Sequence, residues 1–359
     1  MKIIIRTIFL ILLFNISSFS QKDSSLLKKT IQKTKFSGNW YLSYKYNLSD
    51  NENMFELKRG YLTLKSNLNK YISIRYTQDI TLDKEGSDAG NIEIRMKYLY
   101  MKLKPFKKGL LINTFAEFGL VHRPFVDFEQ KINSYRSQGK MFIEKVGIVN
   151  TSDFGIMYGG LLGGKLSKSS QNKVGKHHPG RYGSYTIGVY NGGGYHAVER
   201  NNNKTIEGRL TIRPLPNKLT GLQVSYGEIY GKGNNISNKD NFTMSLFAIT
   251  YENPYYILTS QYYFGKGDYK GEYFDARMVS AKNEGYSIFG ELKIPKTPFA
   301  LFGRYDNFSS NQSNNYFKSG YFGGITYRFL KSKVFVFYEN DYFSDKKTGF
   351  FELVLEVSF

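Results

Sequence analysis

The sequence predicts an all-β fold: a transmembrane antiparallel β-barrel of about 16 strands with a long loop folded inward. Three observations carry this expectation. The first 20 residues read as a secretion leader, most of the remainder alternates apolar and polar residues, and the last ten residues, "FFELVLEVSF", form a bulky alternating strand.

In "MKIIIRTIFLILLFNISSFSQKDSS", Lys2 and Arg6 precede an apolar run from Ile8 to Phe14, and Ser18 and Ser20 flank Phe19 ahead of Gln21. This is the layout of a secretory signal peptide ending at residue 20. The alternative is a membrane anchor, but the run is shorter than the ~20 residues a spanning helix needs. Removing it leaves 48 basic residues against 30 acidic ones. No later run approaches a membrane helix, so a membrane-embedded chain would have to close into a barrel, because lipid offers no partner to an unpaired backbone N–H or C=O. With no Cys among 359 residues, disulfides and thiolate sites are excluded. The 30 Tyr and 29 Phe suit strands with exposed apolar bands.

Residues 21–37 are Lys-rich and read as a lead-in; the barrel is expected over 38–359. Period-two alternation is clean in several stretches. In "TIEGRLTIR", Ile206, Leu210 and Ile212 share a face opposite Glu207, Arg209, Thr211 and Arg213. "KYISIRYTQDI" sets Ile72, Ile74, Tyr76 and Ile80 against Ser73, Arg75, Thr77 and Asp79. "GYFGGITYRF" sets Tyr321, Ile325, Tyr327 and Phe329 against Thr326 and Arg328. In "NIEIRMKYLYMKLK" the alternation blurs past Tyr98, which predicts a bulge or a buried end there. Connections alternate too: short turns such as "SNLN", "RPLPNK" and "ENP" at one end, and long polar loops near 81–90, 122–150, 191–204, 229–241, 265–284 and 307–318 at the other. Residues 165–183 break this rule, being long on the short-turn side.

Burial cost sets the facing. A Lys or Arg in mid-membrane lipid costs about 2–4 kcal/mol, so Glu207 and Arg209 must look into the barrel, and an interior carrying such charges must be wet. The final strand places Phe351, Leu353, Leu355, Val357 and Phe359 on the lipid side, the pattern of the assembly signal read by the barrel-insertion machinery. At the edge of a soluble sheet the same strand would invite aggregation.

The stretch "FAEFGLVHRPFVDFEQKINSYRSQGKMFIEKVGIVNTSDFGIMYGG", with "PGRYGSYTIGVYNGGGYHAVERNNNK" and "RLTIRPLPNKLTGLQVSYG", resembles the phosphate-selective porin O and P family of Gram-negative outer membranes. The resemblance covers about residues 38–230. It implies an outer-membrane porin of about 16 strands, a homotrimer, with the 122–150 loop folded inward as a constriction.

Read independently, residues His122 to Lys145 carry Arg123, Lys131, Arg136, Lys140 and Lys145 against Asp127, Glu129 and Glu144. Inward strand positions add Arg75, Arg95, Lys97, Arg209, Arg213, Arg304 and Arg328, with Asp79, Glu93, Glu207 and Asp306 in opposition. The expectation is passive diffusion of small hydrophilic solutes with a mild preference for anions. Each Arg could instead belong to a wall ion pair, such as Arg304–Asp306 or Arg209–Glu207. Acids interrupting the loop's basic residues argue against a dedicated phosphate filter. The alternative is a non-conducting barrel serving as adhesin or ligand receptor.

Other motifs carry less. "GGLLGGKL" approaches a phosphate-binding loop, but Leu166 stands where Ser or Thr would ligate Mg²⁺. His177 and His178 lie in a Lys-rich loop and read as solvent-facing, without nearby carboxylates for a metal site. The four His residues sit in no nucleophile motif, so neither catalysis nor a cofactor is expected. The leader argues against nucleic acid as partner of the basic surface; outer-membrane lipid and lipopolysaccharide are its expected neighbours.

Overall fold

The computed structural model describes residues 33–84, 87, 89–104, 111–174, 177–236, 241–312, 316–344 and 346–359. The expected leader and most of the lead-in lie outside these residues. Sixteen antiparallel strands close on themselves, each paired with its sequence neighbour and the first with the last. They are β1 (Thr34–Asn47), β2 (Asn53–Asn67), β3 (Ile72–Leu82), β4 (Ile92–Leu103), β5 (Leu111–His122) and β6 (Ser152–Leu162). β7 (Gly183–Tyr190), β8 (Thr205–Ile212), β9 (Leu222–Lys232), β10 (Asn241–Glu252) and β11 (Tyr256–Lys266) continue the wall. It is completed by β12 (Lys282–Lys293), β13 (Phe299–Ser310), β14 (Phe317–Phe329), β15 (Ser332–Phe343) and β16 (Lys346–Ser358). Among the described residues, three short helices lie in connections: α1 (Pro124–Ile132) and α2 (Phe142–Lys145) within the 122–150 loop, and α3 (Lys168–Lys173) at the short-turn end.

The alternation has the expected sense. In β8 Glu207, Arg209 and Thr211 are buried inside while Ile206, Leu210 and Ile212 are exposed on the outer wall. β1 begins at Thr34, four residues before Gly38, because Thr34–Gly38 pair with Leu62–Ser66 of β2. At the other edge, Phe359 and Gly38 exchange two backbone hydrogen bonds of 3.1 Å. A Cβ at position 38 would lie 2.3 Å from the Phe359 ring, so Gly is what lets that ring fold over the seam.

Of the four bulges among the described strands, in β2, β4, β5 and β14, the first two reset the inward parity of the basic wall. One lies in β2, where Arg59 opposes Tyr41 and Leu57 opposes Leu42, leaving Lys58 as the extra residue. The other lies in β4, where Tyr98 opposes Thr77 and Met96 opposes Gln78, leaving Lys97 extra. An extra residue in one strand puts two consecutive side chains on the same face. Lys58 with Arg59, and Lys97 with Tyr98, therefore both point inward.

The interior is divided. The 122–150 loop folds into the barrel, and Phe125, Phe128, Ile132, Tyr135, Phe142, Val146 and Ile148 form one apolar cluster with inward residues of β9–β16, among them Phe242, Leu246, Phe289, Phe302, Phe335 and Phe337. On the opposite wall, β2–β4 are basic, and β5–β8 mix charged side chains with a small apolar cluster of Val121, Met157 and Tyr190. An inward loop that buries an apolar face on one half of the barrel leaves its polar face toward the other half.

Candidate functional site: the basic lumen

The inward face of β2–β4 carries a track of cations running from the long-loop end to the short-turn end. Lys58, Arg59 and Arg95 lie nearest the long loops, Lys97 comes next, and Arg75, Lys65 and Lys102 lie toward the short turns, an order set by their positions in the paired strands. Tyrosines support them. Lys97 donates to the Tyr61 hydroxyl at 3.1 Å and sits 4.7 Å above that ring. Arg75 stacks 4.3 Å from the Tyr98 ring, and Arg95 lies 5.9 Å from Tyr195. Such cation–π contacts hold a cation without neutralising it.

Several of these charges are paired. Asp79, fully buried, lies between Arg59 at 3.4 Å and Arg95 at 3.6 Å, and Arg95 also reaches Glu93 at 3.5 Å. Lys58 pairs with Glu352 at 2.7 Å and Lys102 with Glu117 at 2.9 Å. Lys65, Arg75, Lys97 and Lys140 have no carboxylate within ion-pairing distance among the described residues. Lys65 and Arg75 are cross-strand partners in register, so two like charges stand side by side. His122 completes the lower site. Its Nδ1 lies 2.9 Å from Glu117, and its Nε2 lies 2.9 Å from the Arg75 guanidinium. The neutral tautomer with the proton on Nδ1 satisfies both contacts.

The inward loop faces this track with Arg136 and Lys140. Arg136 is fixed by two hydrogen bonds to Glu144, 3.0 and 3.1 Å long. Together with Tyr41, Lys58 and Arg59 they line a gap of about 110 Å³, whose lining holds four cations and no carboxylate. Lower down, α1 and β2–β8 enclose a wider space of about 320 Å³ containing Lys65, Arg75, Lys131 and Arg209. Lys131 pairs with Asp127 at 2.5 Å. Burial alone would raise the Asp127 carboxyl, but the Lys131 ammonium beside it holds it well below the usual range.

Other residues assigned from the sequence to the lumen are tied into the wall or the inward loop. Arg123 is fully buried between Glu207 at 2.5 Å and Asp153 at 3.4 Å, so it anchors the root of the inward loop to the wall. Because Glu207 is taken by Arg123, the suggested Arg209–Glu207 pair does not form. Arg209 is buried, donating to the Pro124 carbonyl at 3.2 Å and lying 4.7 Å from the Phe128 ring. Arg304 does form the suggested pair with Asp306, at 2.8 Å, and donates to the Lys140 carbonyl, behind the loop. Glu129 is buried and accepts from Gln261 at 2.6 Å; burial pushes its carboxyl up to about 7. Arg328 pairs with Glu291 beside Tyr135.

His178 also departs from expectation. Rather than facing solvent, it is buried with its ring 4.4 Å from Phe128 and its Nε2 3.2 Å from the Phe128 carbonyl. Arg213 fastens this connection by donating to the carbonyls of His178 and Gly180. The long connection on the short-turn side thus supports α1 from below.

The sequence reading missed Lys58, Arg59, Lys65 and Lys102. Strict alternation continued through the bulges sends Arg59, Lys65 and Lys102 outward. The signal was present as adjacent basic residues in "FELKRGYLTLK", an arrangement that unbroken alternation would force partly into lipid.

No protein-family model and no curated protein sequence matches the chain. Solved structures do. OmpF of Salmonella typhi, solved in complex with daunomycin, aligns with a TM-score of 0.64 at 12% identity, covering 91% of this chain and 97% of that one. An anion-selective porin from Comamonas acidovorans aligns with a TM-score of 0.59 at 10% identity, covering 91% and 99%. The trimer form of OmpT, an outer-membrane protein of Vibrio cholerae, aligns with a TM-score of 0.56 at 12% identity over the same shares. The closed 16-strand barrel with an apolar outer wall therefore has the fold of the outer-membrane porins.

Proposed function

We propose that the protein is a passive diffusion channel for small hydrophilic solutes with a modest preference for anions. The observation that carries this reading is the set of four lumenal cations without a carboxylate partner among the described residues: Lys65 and Arg75 side by side, Lys97 above them on the same wall, and Lys140 on the facing loop. In a passage not much wider than the ~8 Å Debye length, such charges act on a passing ion despite physiological salt. The paired residues contribute little net field, so the preference is mild. The resemblance to the porin O and P family extends the reading toward phosphate and other oxyanions, and toward a homotrimer. The Comamonas porin named above supports the anion preference only through its fold.

Reconstituting the folded chain in a planar bilayer under a KCl gradient tests this. Discrete ohmic steps and a reversal potential on the chloride side are expected. Lys140→Glu should move that potential toward the cation side severalfold in permeability ratio, because it inverts an unpaired charge at the narrow gap. A cation-side value in the native chain would reject the charge argument and keep the channel. A folded barrel without conductance would favour the adhesin or receptor reading.

A further inference from the structure

The outer surface of the barrel carries a second site, unrelated to the lumen. Where β9–β13 approach the long loops, a recess of about 580 Å³ opens on the outward face. Its lining includes Lys266, Lys282, Glu228, Glu284, Ser245 and Ser309. These positions share the outward parity of Tyr226, Phe247, Tyr262, Tyr286 and Tyr305, the apolar and aromatic wall. Charged side chains on that wall require either a depth at which the bilayer is already polar or a ligand.

The first condition is met. Tyr262 lies four residues below Lys266 on β11, about 10 Å lower along the membrane normal for a strand tilted about 40°, and tyrosines on this face mark the membrane–water interface. The recess therefore opens at headgroup level. Lys266 and Lys282 are direct cross-strand partners, and neither has a carboxylate within ion-pairing distance among the described residues. Like charges directly opposed in a sheet destabilise it, and an anion between them reverses that sign. The two carboxylates are held in place rather than neutralised. Glu284 accepts from the Tyr262 hydroxyl at 2.6 Å, and Glu228 accepts from the hydroxyls of Ser245, at 2.8 Å, and Tyr226. A free dianion would meet these acids unfavourably. A ligand that combines a phosphate with sugar hydroxyls would satisfy both halves of the recess.

We propose that this recess binds the phosphorylated sugar headgroup of an outer-leaflet glycolipid. A phosphate sits between Lys266 and Lys282, and sugar hydroxyls donate to Glu228 and Glu284. The adjoining lipid-facing residues Phe264 and Tyr262 then carry the acyl chains. Charge complementarity and headgroup depth together select lipid over a second copy of the chain.

The test uses the full-length folded protein in detergent, incubated with diphosphorylated lipid A or its dephosphorylated form, with retained lipid counted by native mass spectrometry. The native protein should retain the diphosphorylated lipid at least tenfold better than the dephosphorylated one. The double variant Lys266→Gln, Lys282→Gln should lose this preference, and the double Lys→Arg variant should keep it. A heat-shift gel on each variant reports whether the barrel is folded. Three results would overturn the proposal: equal retention of both lipids, competition by millimolar inorganic phosphate as effective as by lipid A, or a Gln variant that keeps its lipid while its oligomeric state falls. The second would indicate a simple anion site, the third a contact between copies.

Discussion

Arg123 and Lys97 show how little a residue's type says about its role until its partners are known. Both are buried on the inner side of the wall. Arg123 lies between two carboxylates, whereas Lys97 contacts the rings of Tyr61, Tyr98 and Tyr195 and forms no ion pair among the described residues. Removing one member of a buried charge network costs ~3–5 kcal/mol because the partners are left uncompensated. Arg123→Met should therefore lower the temperature at which the folded barrel converts to the slower-migrating unfolded form on a gel, while the ion selectivity of surviving channels stays near native. Arg123→Glu, which the sequence alone would treat as a lumenal charge reversal, would set a third carboxylate beside Glu207 and Asp153 and should prevent assembly. A large selectivity shift in either variant would return Arg123 to the lumen. The charge of Arg123 was readable in the chain, but its partners come from β6 and β8, 30 and 84 residues away, and no local pattern announces such pairings.

At the scale of elements, alternation made the strands legible because each one must separate lipid from water within a two-residue period. The blur past Tyr98 correctly marked the β4 bulge, whereas the β2 bulge went unread because Lys58 and Arg59 extend an already polar stretch. The inward loop was implied by family resemblance. What fixes it is a property its own sequence displays weakly: "HRPFVDFEQKINSYRSQGKMFIEKVGIV" mixes aromatic and charged residues with no single period, since one face meets the β9–β16 wall and the other the lumen. Phe142 is central to the dry face, fully buried and with its ring 5.8 Å from Tyr263. Phe142→Ala should cost ~3–5 kcal/mol of packing. In single-channel recordings this should appear as increased open-state noise and frequent substates, since a loop freed from the wall moves within the passage. Quiet, native-like steps from this variant would show that the aromatic cluster is not what holds the loop. The 165–183 connection could not be placed from sequence, because its docking depends on the Phe128 carbonyl, on a segment not yet known to lie inside.

The barrel as a whole is closed by one seam. β1 and β16 pair over nine residues, from Asn39 with Ser358 to Asn47 with Phe350. Phe351, Leu353, Leu355, Val357 and Phe359 lie on the outer side of this seam, and Phe359 packs 6.0 Å from Phe36. Deleting Phe359 should sharply reduce the fraction of newly made chains that reach the folded, heat-modifiable form in the outer membrane, with a smaller effect on the stability of barrels already formed. Equal losses in both measurements would reduce the terminal residue to a packing role.

That seam has a consequence for how partial molecules behave. A soluble domain that loses its last strand keeps most of its core and exposes one new edge. A ring of sixteen strands deprived of its last member exposes two, one on β1 and one on β15, each a row of hydrogen-bonding groups surrounded by hydrocarbon, where neither water nor lipid can answer them. Fifteen-sixteenths of this wall is therefore not a weakened version of the whole but an open zip, whose easiest repair is to fasten onto whatever strand arrives next.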